Sequence, residues 1–256
     1  MNLNSDKPVS RKNQNSIKLL ASSSVVSFWT LISRILGLAR DIVFTSLLGA
    51  GVALDAYVVI TKIPNVFRRI FAEGAFNQAF VPVLSEYKEN NSENEVKVLI
   101  NNIFGVLSSV LLILTIVVLV ITPIFVLVFA PGFYAETIKK ELATDILRIT
   151  FPYLFFVSLV ALSGSIMNTY GKFSIPALTP VFYNLVLVCT AIWIAPLYDV
   201  PIYAIAWGMF GAGCIQLLIQ IYPLLNLRLL PKFSLDLKHP GVKKVLYLMI
   251  PGIIAG

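Results

Sequence analysis

Seven ionisable side chains lie inside stretches that are otherwise apolar. Arg34, Arg40 and Asp41 interrupt residues 21–48, and Asp55, Lys62, Arg68 and Arg69 interrupt residues 53–71. A charged group at the centre of a membrane helix costs about 2.5–3.5 kcal/mol on insertion scales, so each needs a wet cavity, a partner or a role. Arginine suits a phosphate-bearing ligand, because its planar fork binds phosphate oxygens two at a time and never loses its charge. An exporter of cationic drugs would instead place carboxylates at that depth, and here the basic groups outnumber the acidic ones.

Helix geometry limits which of these groups act together. Arg34 and Asp41 are seven residues apart and share a face. Arg40 is six beyond Arg34, a rotation of about 240° at 100° per residue, so a straight helix cannot aim both arginines into one narrow slot. Gly37 between them permits a bend or the close approach of another helix, and a wide cavity would accept both arginines. Structural roles compete with functional ones throughout. Arg34 could pair with Asp41, Asp55 or Glu73, and Arg40 could snorkel to the interface. Asp55 and Lys62 share a face and could pair, as could Arg69 and Glu73 four residues apart. Arg68 and Arg69 could serve as an orientation signal, and Arg148 has Asp145 three residues before it.

The elements that position these groups follow from composition. Of the 256 residues, 57% are hydrophobic and 13% charged; the mean hydropathy is +0.84. Soluble domains carry about 25% charged residues, so the fold class is an all-α polytopic membrane protein. No charge occurs between Lys97 and Glu136, Arg148 and Lys172, Lys172 and Asp199, or Asp199 and Arg228. These intervals predict spans at about 100–129, 147–170, 174–197 and 201–227, the first kinked at Pro123. With 21–48 and 53–71, joined through Gly49-Ala50-Gly51, the sequence predicts six complete transmembrane helices and the start of a seventh. A hydropathy window alone would miss the first two. The domains read as a tail at 1–20, a six-helix lobe at 21–228, a loop at 229–241 and a seventh helix cut short at 242–256. Residues 76–96 read as a connector whose first part could lie at the interface, with a solvated loop at 88–95.

Net charge is +7, but the basic residues fall between apolar runs rather than on one face, which argues against nucleic acid. A cytoplasmic N-terminus puts fourteen Lys and Arg on that side, two (Lys139 and Lys140) on the other and four within spans, together the 20 of the chain. The polar, basic start does not read as a cleavable signal. Cys189 and Cys214 read as small membrane-core residues, and the lone His239 as a loop residue. No metal set, cofactor-binding glycine loop or Ser–His set stands out, so neither a cofactor nor an enzyme is expected.

Two blocks carry a resemblance. One is Ser33-Arg34-Ile35-Leu36-Gly37-Leu38-Ala39-Arg40-Asp41; the other is the long run Lys62 to Pro82, KIPNVFRRIFAEGAFNQAFVP. Ala130-Pro131-Gly132-Phe133, Thr150-Phe151-Pro152-Tyr153 and Phe173-Ser174-Ile175-Pro176-Ala177 add to them. Together they resemble the amino-terminal part of the MurJ (MviN) family in the MOP transporter superfamily. The resemblance implies one lobe of a V-shaped transporter built from two six-helix lobes and two extra helices. It implies export of lipid II, the undecaprenyl diphosphate-linked peptidoglycan precursor, across the bacterial inner membrane. Arg34, Arg40 and Arg68 match the family's essential cavity arginines. Asp55 and Glu73 match acidic positions that support the cavity and gating, with Asp41 beside them. The family's remaining essential arginine belongs to the second lobe, beyond Gly256, so the expected partners are lipid II, membrane lipid and a second lobe or second copy. A flippase for another polyprenyl-linked saccharide, a drug antiporter of the same superfamily and a non-transporting half-transporter are the competing readings; the long block argues against the first two.

Overall fold

The computed structural model describes residues 7–49, 51–134 and 136–255; the side chains of 7–22, 59–60, 72–73, 134 and 253–255 are outside that description. Among the described residues every regular element is helical. Helix α1 (Lys7–Leu48) is 42 residues long, about 63 Å at 1.5 Å per residue. It begins within the stretch expected as a tail, since Pro8 is tolerated in a first helical turn and no later proline or glycine interrupts the helix before Gly37. Helix α2 (Val52–Arg68) widens into a π turn at Arg69–Glu73. Next come α3 (Ala75–Asn90), α4 (Glu93–Val120), α5 (Thr122–Phe129), the single turn α6 (Pro131–Tyr134), α7 (Thr137–Thr150) and α8 (Tyr153–Thr169). Helix α9 (Ser174–Cys189) continues through a π turn and a 3-10 turn to Leu197, and α10 (Pro201–Asn226) and α11 (Pro240–Ala255) complete the order.

Four helical stretches are long and apolar enough to cross a membrane: Glu93–Val120, Thr137–Thr169, Ser174–Leu197 and Pro201–Asn226. Helices α1 and α2 do not meet that measure. Arg34, Arg40 and Asp41 break the apolar run of α1, and α2 has 17 residues with three charges. Length and apolarity therefore give four spans rather than six.

Prolines set the breaks. Pro123 has no N–H to offer the Leu119 carbonyl. Thr122 Oγ1 donates there instead (3.0 Å) and to Val118 O (2.7 Å), and α4 ends at Val120 with Ile121 as its cap. The expected kink is thus a break between two helices. Pro152 separates α7 from α8 in the same way. The span expected at 147–170 accordingly starts earlier, at Thr137.

The connector at 76–96 is a packed helix. Phe76, Ala79, Phe80, Val83 and Leu84 of α3 are buried, a stripe at helical spacing. That stripe faces neighbours in α11 and α8. Only Asn91 and Ser92 separate α3 from α4, where Ser92 and Glu95 form a reciprocal capping box. The expected solvated loop at 88–95 shrinks to this turn. Helix α11 fits against α3 through Gly252, where a Cβ would lie 2.7 Å from that of Ala75. The other main contacts join α1 to α9, α9 to α10 and α10 to α8.

Between α10 and α11 an extended strap, residues 229–236, crosses α4. Lys232 N–H donates to Asn101 Oδ1 (2.7 Å). A Cβ at Gly105 would fall 1.9 Å from the Ser234 carbonyl oxygen, so glycine is required here. Gly105→Ala is expected to lift the strap at a cost of about 1–3 kcal/mol. Limited trypsin digestion at Lys232 and Lys238 should then run several-fold faster than in the unsubstituted chain; an unchanged rate would show that the strap does not rest on α4.

Candidate functional site

Helix α2 supplies one wall of a cavity of about 710 Å³. Val58, Thr61, Lys62, Asn65 and Arg68 recur at three- and four-residue steps, so one stripe of the helix faces inward. Helix α1 contributes Arg40 and Asp41, and α8, α9 and α10 close the other sides with a single residue, Asn77, from α3. The charged lining is Arg40, Lys62 and Arg68 against Asp41, three cations to one carboxylate. The volume lies within the range of small-molecule sites.

Arg40 is held by several partners. Its Nε and Nη2 donate to Asp41 Oδ1 (3.0 and 2.8 Å), and Nη1 donates to Asn184 Oδ1 (3.0 Å). Its guanidinium carbon is 6.0 Å from the Tyr183 ring centroid. Three of its five N–H donors are engaged in these bonds, which leaves two to meet a ligand. The Asn184 amide is itself fixed, since Nδ2 donates to the Ser33 carbonyl (3.0 Å). This ties α9 to α1 beside Gly37, where a Cβ would be 3.6 Å from Asn184 Nδ2. Gly37 thus lies at the α1–α9 contact, where a Cβ would meet Asn184 at ordinary packing distance, along an uninterrupted α1.

Neutral amides also line the cavity. Gln216 Nε2 donates to the Thr179 carbonyl (3.2 Å), and Gln220 Nε2 to Thr179 Oγ1 (3.1 Å). Ser165 Oγ donates to Asn77 Oδ1 (2.7 Å). The site can therefore offer cationic donors to an anion and amide groups to a hydroxylated or peptidic ligand within one cavity.

Of the residues expected from sequence, Arg40, Asp41 and Arg68 meet in this cavity. Arg34 does not line it and is exposed on α1 beside Leu31, Ile35 and Leu38, about two helical turns from Asp41, whose face it shares. Asp55 is exposed in the first turn of α2, also outside the wall. It forms no ion pair with Lys62, whose side chain lines the cavity instead. Glu73 ends the π turn, and its side chain lies outside the described residues. Arg148 meets Asp145 at 3.8 Å, the local pair expected from their spacing. Sequence reasoning missed Tyr183, Asn184, Gln216 and Gln220. The available signal was polar residues deep in charge-free runs, with the two glutamines one turn apart.

A family model described as lipid II flippase MurJ matches residues 44–256. The chain belongs to the MurJ family. It is 41% identical over 243 residues to the probable lipid II flippase MurJ of Vibrio cholerae, covering 92% of this chain and 46% of that protein. It is 38% identical to the lipid II flippase MurJ of Burkholderia cenocepacia, covering 93% of this chain and 47% of that one. The chain thus spans about half the length of the curated relatives it matches. Among solved structures it resembles a lipid II flippase MurJ in an inward closed conformation, with a TM-score of 0.74, 29% identity and coverage of 90% of this chain and 46% of the other. A MOP superfamily transporter from Pyrococcus furiosus shares the fold, with a TM-score of 0.65, 13% identity and coverage of 91% and 52%. MurJ membership and a MOP-type helical fold agree with the resemblance carried by the two sequence blocks.

Proposed function

We propose that this chain is the amino-terminal lobe of a lipid II flippase of the bacterial inner membrane. The observation that carries the reading is the convergence of Arg40, Lys62 and Arg68 on one cavity whose other walls mix amides with hydroxyl and apolar side chains. A diphosphate carries charge that needs such cations at membrane depth. The saccharide and peptide parts of the lipid need neutral hydrogen-bonding groups. A cavity for a cationic drug would carry the opposite balance of charge.

In this reading six spans cross the bilayer: α1, α2 with its π turn, α4–α5, α7–α8, α9 with its π and 3-10 turns, and α10. Helix α11 begins a seventh, and α3 lies on the cytoplasmic side between the second and third. The N-terminus is cytoplasmic, as the fourteen-to-two distribution of basic residues favours. Asn168 near the end of α8, Pro176 near the start of α9 and Gln220 near the end of α10 then mark a cytoplasmic entrance. Arg40, near the other end of α1, marks the far wall. A second lobe completes the cavity, and rocking of one lobe against the other moves the headgroup across.

The test is a chimera. Residues 1–256 replace the matching half of the Vibrio cholerae protein, and the product is expressed in a flippase-depleted bacterium. Restored growth with lipid II at the cell surface is the expected result. A chimera that inserts fully but leaves lipid II inside would overturn the proposal.

A further inference from the structure

A second cavity, of about 230 Å³, opens where α4 begins and α10 ends. Its lining combines Lys97, Arg228 and Lys232 with Asn101 and an apolar floor of Ile100, Leu229 and Leu230. No carboxylate is among these residues. Glu93 is four residues before Lys97, yet the described ion pairs include none between Lys97, Arg228 or Lys232 and an acid. Asn101 Oδ1 is held by the Lys232 N–H, so its amide NH2 remains as a further donor at the wall.

Arg228 is where a local rule is broken. The end of α10 closes as a Schellman motif, with Leu229 N–H on Leu224 O (3.0 Å) and Arg228 N–H on Leu225 O (2.9 Å). The residue at the left-handed position of that motif is ordinarily glycine, as Gly171 is after α8 (φ 73). Here it is Arg228, at φ 56, the one non-glycine residue with positive φ among the described residues. A side chain kept at a position that favours glycine points to a role for that side chain.

From these features we infer that the cavity binds the phosphate headgroup of an anionic phospholipid. Three cations and an amide address the phosphate, and the leucine and isoleucine floor addresses the glycerol and upper acyl region, which free phosphate lacks. The level is right: Lys97 directly precedes the apolar run of α4, and Arg228 follows the Leu227 cap of α10, so both sit where headgroups lie. The strap that carries Lys232 is the one lying on Gly105, so an occupied cavity would pin the strap to α4. This inference does not depend on the central cavity or its substrate.

The test uses the purified chain in neutral phosphatidylcholine nanodiscs, transferred to native mass spectrometry after addition of phosphatidylglycerol, matched phosphatidylcholine or inorganic phosphate. Phosphatidylglycerol adducts should outnumber phosphatidylcholine adducts at equal concentration. Lys97→Gln, Arg228→Gln and Lys232→Gln should each weaken them about fivefold, the value of one basic residue at an anionic surface. Lys238→Gln, the same charge change just beyond the strap and outside the lining, should not. Arg228→Gly separates binding from folding, because it relieves the backbone: the melting temperature should hold or rise while adducts still fall about fivefold. Displacement of the lipid by millimolar phosphate would keep the phosphate site and assign its source to the free anion. Equal adducts for both lipids, or equal loss in Lys238→Gln, would overturn the inference.

Discussion

Arg40→Ala or Arg68→Ala, introduced into the chimeric flippase, is expected to lower lipid II export by on the order of 100-fold while leaving membrane insertion intact. The size follows from the site. Truncating one partner of a buried, hydrogen-bonded charge pair costs about 2–5 kcal/mol, and about 2.7 kcal/mol corresponds to 100-fold. Arg40 should show the effect most fully, because Asp41 and Asn184 hold its guanidinium in place. Arg40→Lys should recover little: an ammonium cannot bond Asp41 and Asn184 and still present a planar fork to a phosphate. Arg34→Ala gives the contrast. Arg34 is outside the cavity, so its loss should impair export only where a second lobe uses that face. Surface labelling of lipid II, with insertion checked separately, is the readout. Wild-type export by both Arg40→Ala and Arg68→Ala would remove the cations from the mechanism.

The second large effect concerns the chain on its own. Residues 1–256 expressed alone are expected to insert and to export no lipid II. The lobe offers one wall of a cavity whose function, in an alternating-access transporter, needs two. Its α1 also presents Phe28, Leu31, Ile35, Leu38 and Ile42 on one side, each more than half exposed, with Arg34 among them. The apolar stripe can face lipid, but Arg34 in hydrocarbon costs about 2.5–3.5 kcal/mol. The isolated lobe should therefore self-associate or be cleared faster than the chimera. Complementation of the depleted strain measures the first part, and pulse-chase with cross-linking the second. Export by the chain alone would favour a homodimer with two copies of Arg40 and Arg68 across a shared cavity.

Much of the fold was legible because charge is so sparse. The charge-free intervals located the α9 and α10 spans closely, whereas the first span starts seven residues earlier, at Glu93, and breaks at Ile121, and the second starts early, at Thr137. Helix α3 was harder to read. Its run of charged and amide residues from Lys88 to Glu95 resembled a loop, although Ser92 and Glu95 already had capping-box spacing. The stripe Phe76, Ala79, Phe80, Val83 and Leu84 was also present, but one of its main partners, α11, is more than 150 residues away in sequence. A stripe without a visible partner does not distinguish an interfacial helix from a packed one.

The site shows the same division. Rotation along α1 showed that Arg34 and Arg40 could not share a narrow slot but left a wide cavity open to both, and only tertiary packing placed Arg40 inside and Arg34 outside. The residues that orient Arg40 were not legible. Asn184 reaches it from 144 positions away, and nothing along α9 marks the face that meets α1. Lys62 likewise had two readings, a pair with Asp55 or a place in the cavity. Local spacing allowed both, and tertiary packing chose the second.

The central claim is that these cations hold a diphosphate, and direct binding tests it without the chemistry of export. Purified chain is titrated with undecaprenyl diphosphate and undecaprenyl monophosphate in neutral detergent, alongside the Arg40→Ala/Arg68→Ala double variant. The account predicts tighter binding of the diphosphate by the unsubstituted chain, and loss of that preference in the double variant. Equal affinity for the two lipids, or an undiminished preference in the double variant, would contradict it.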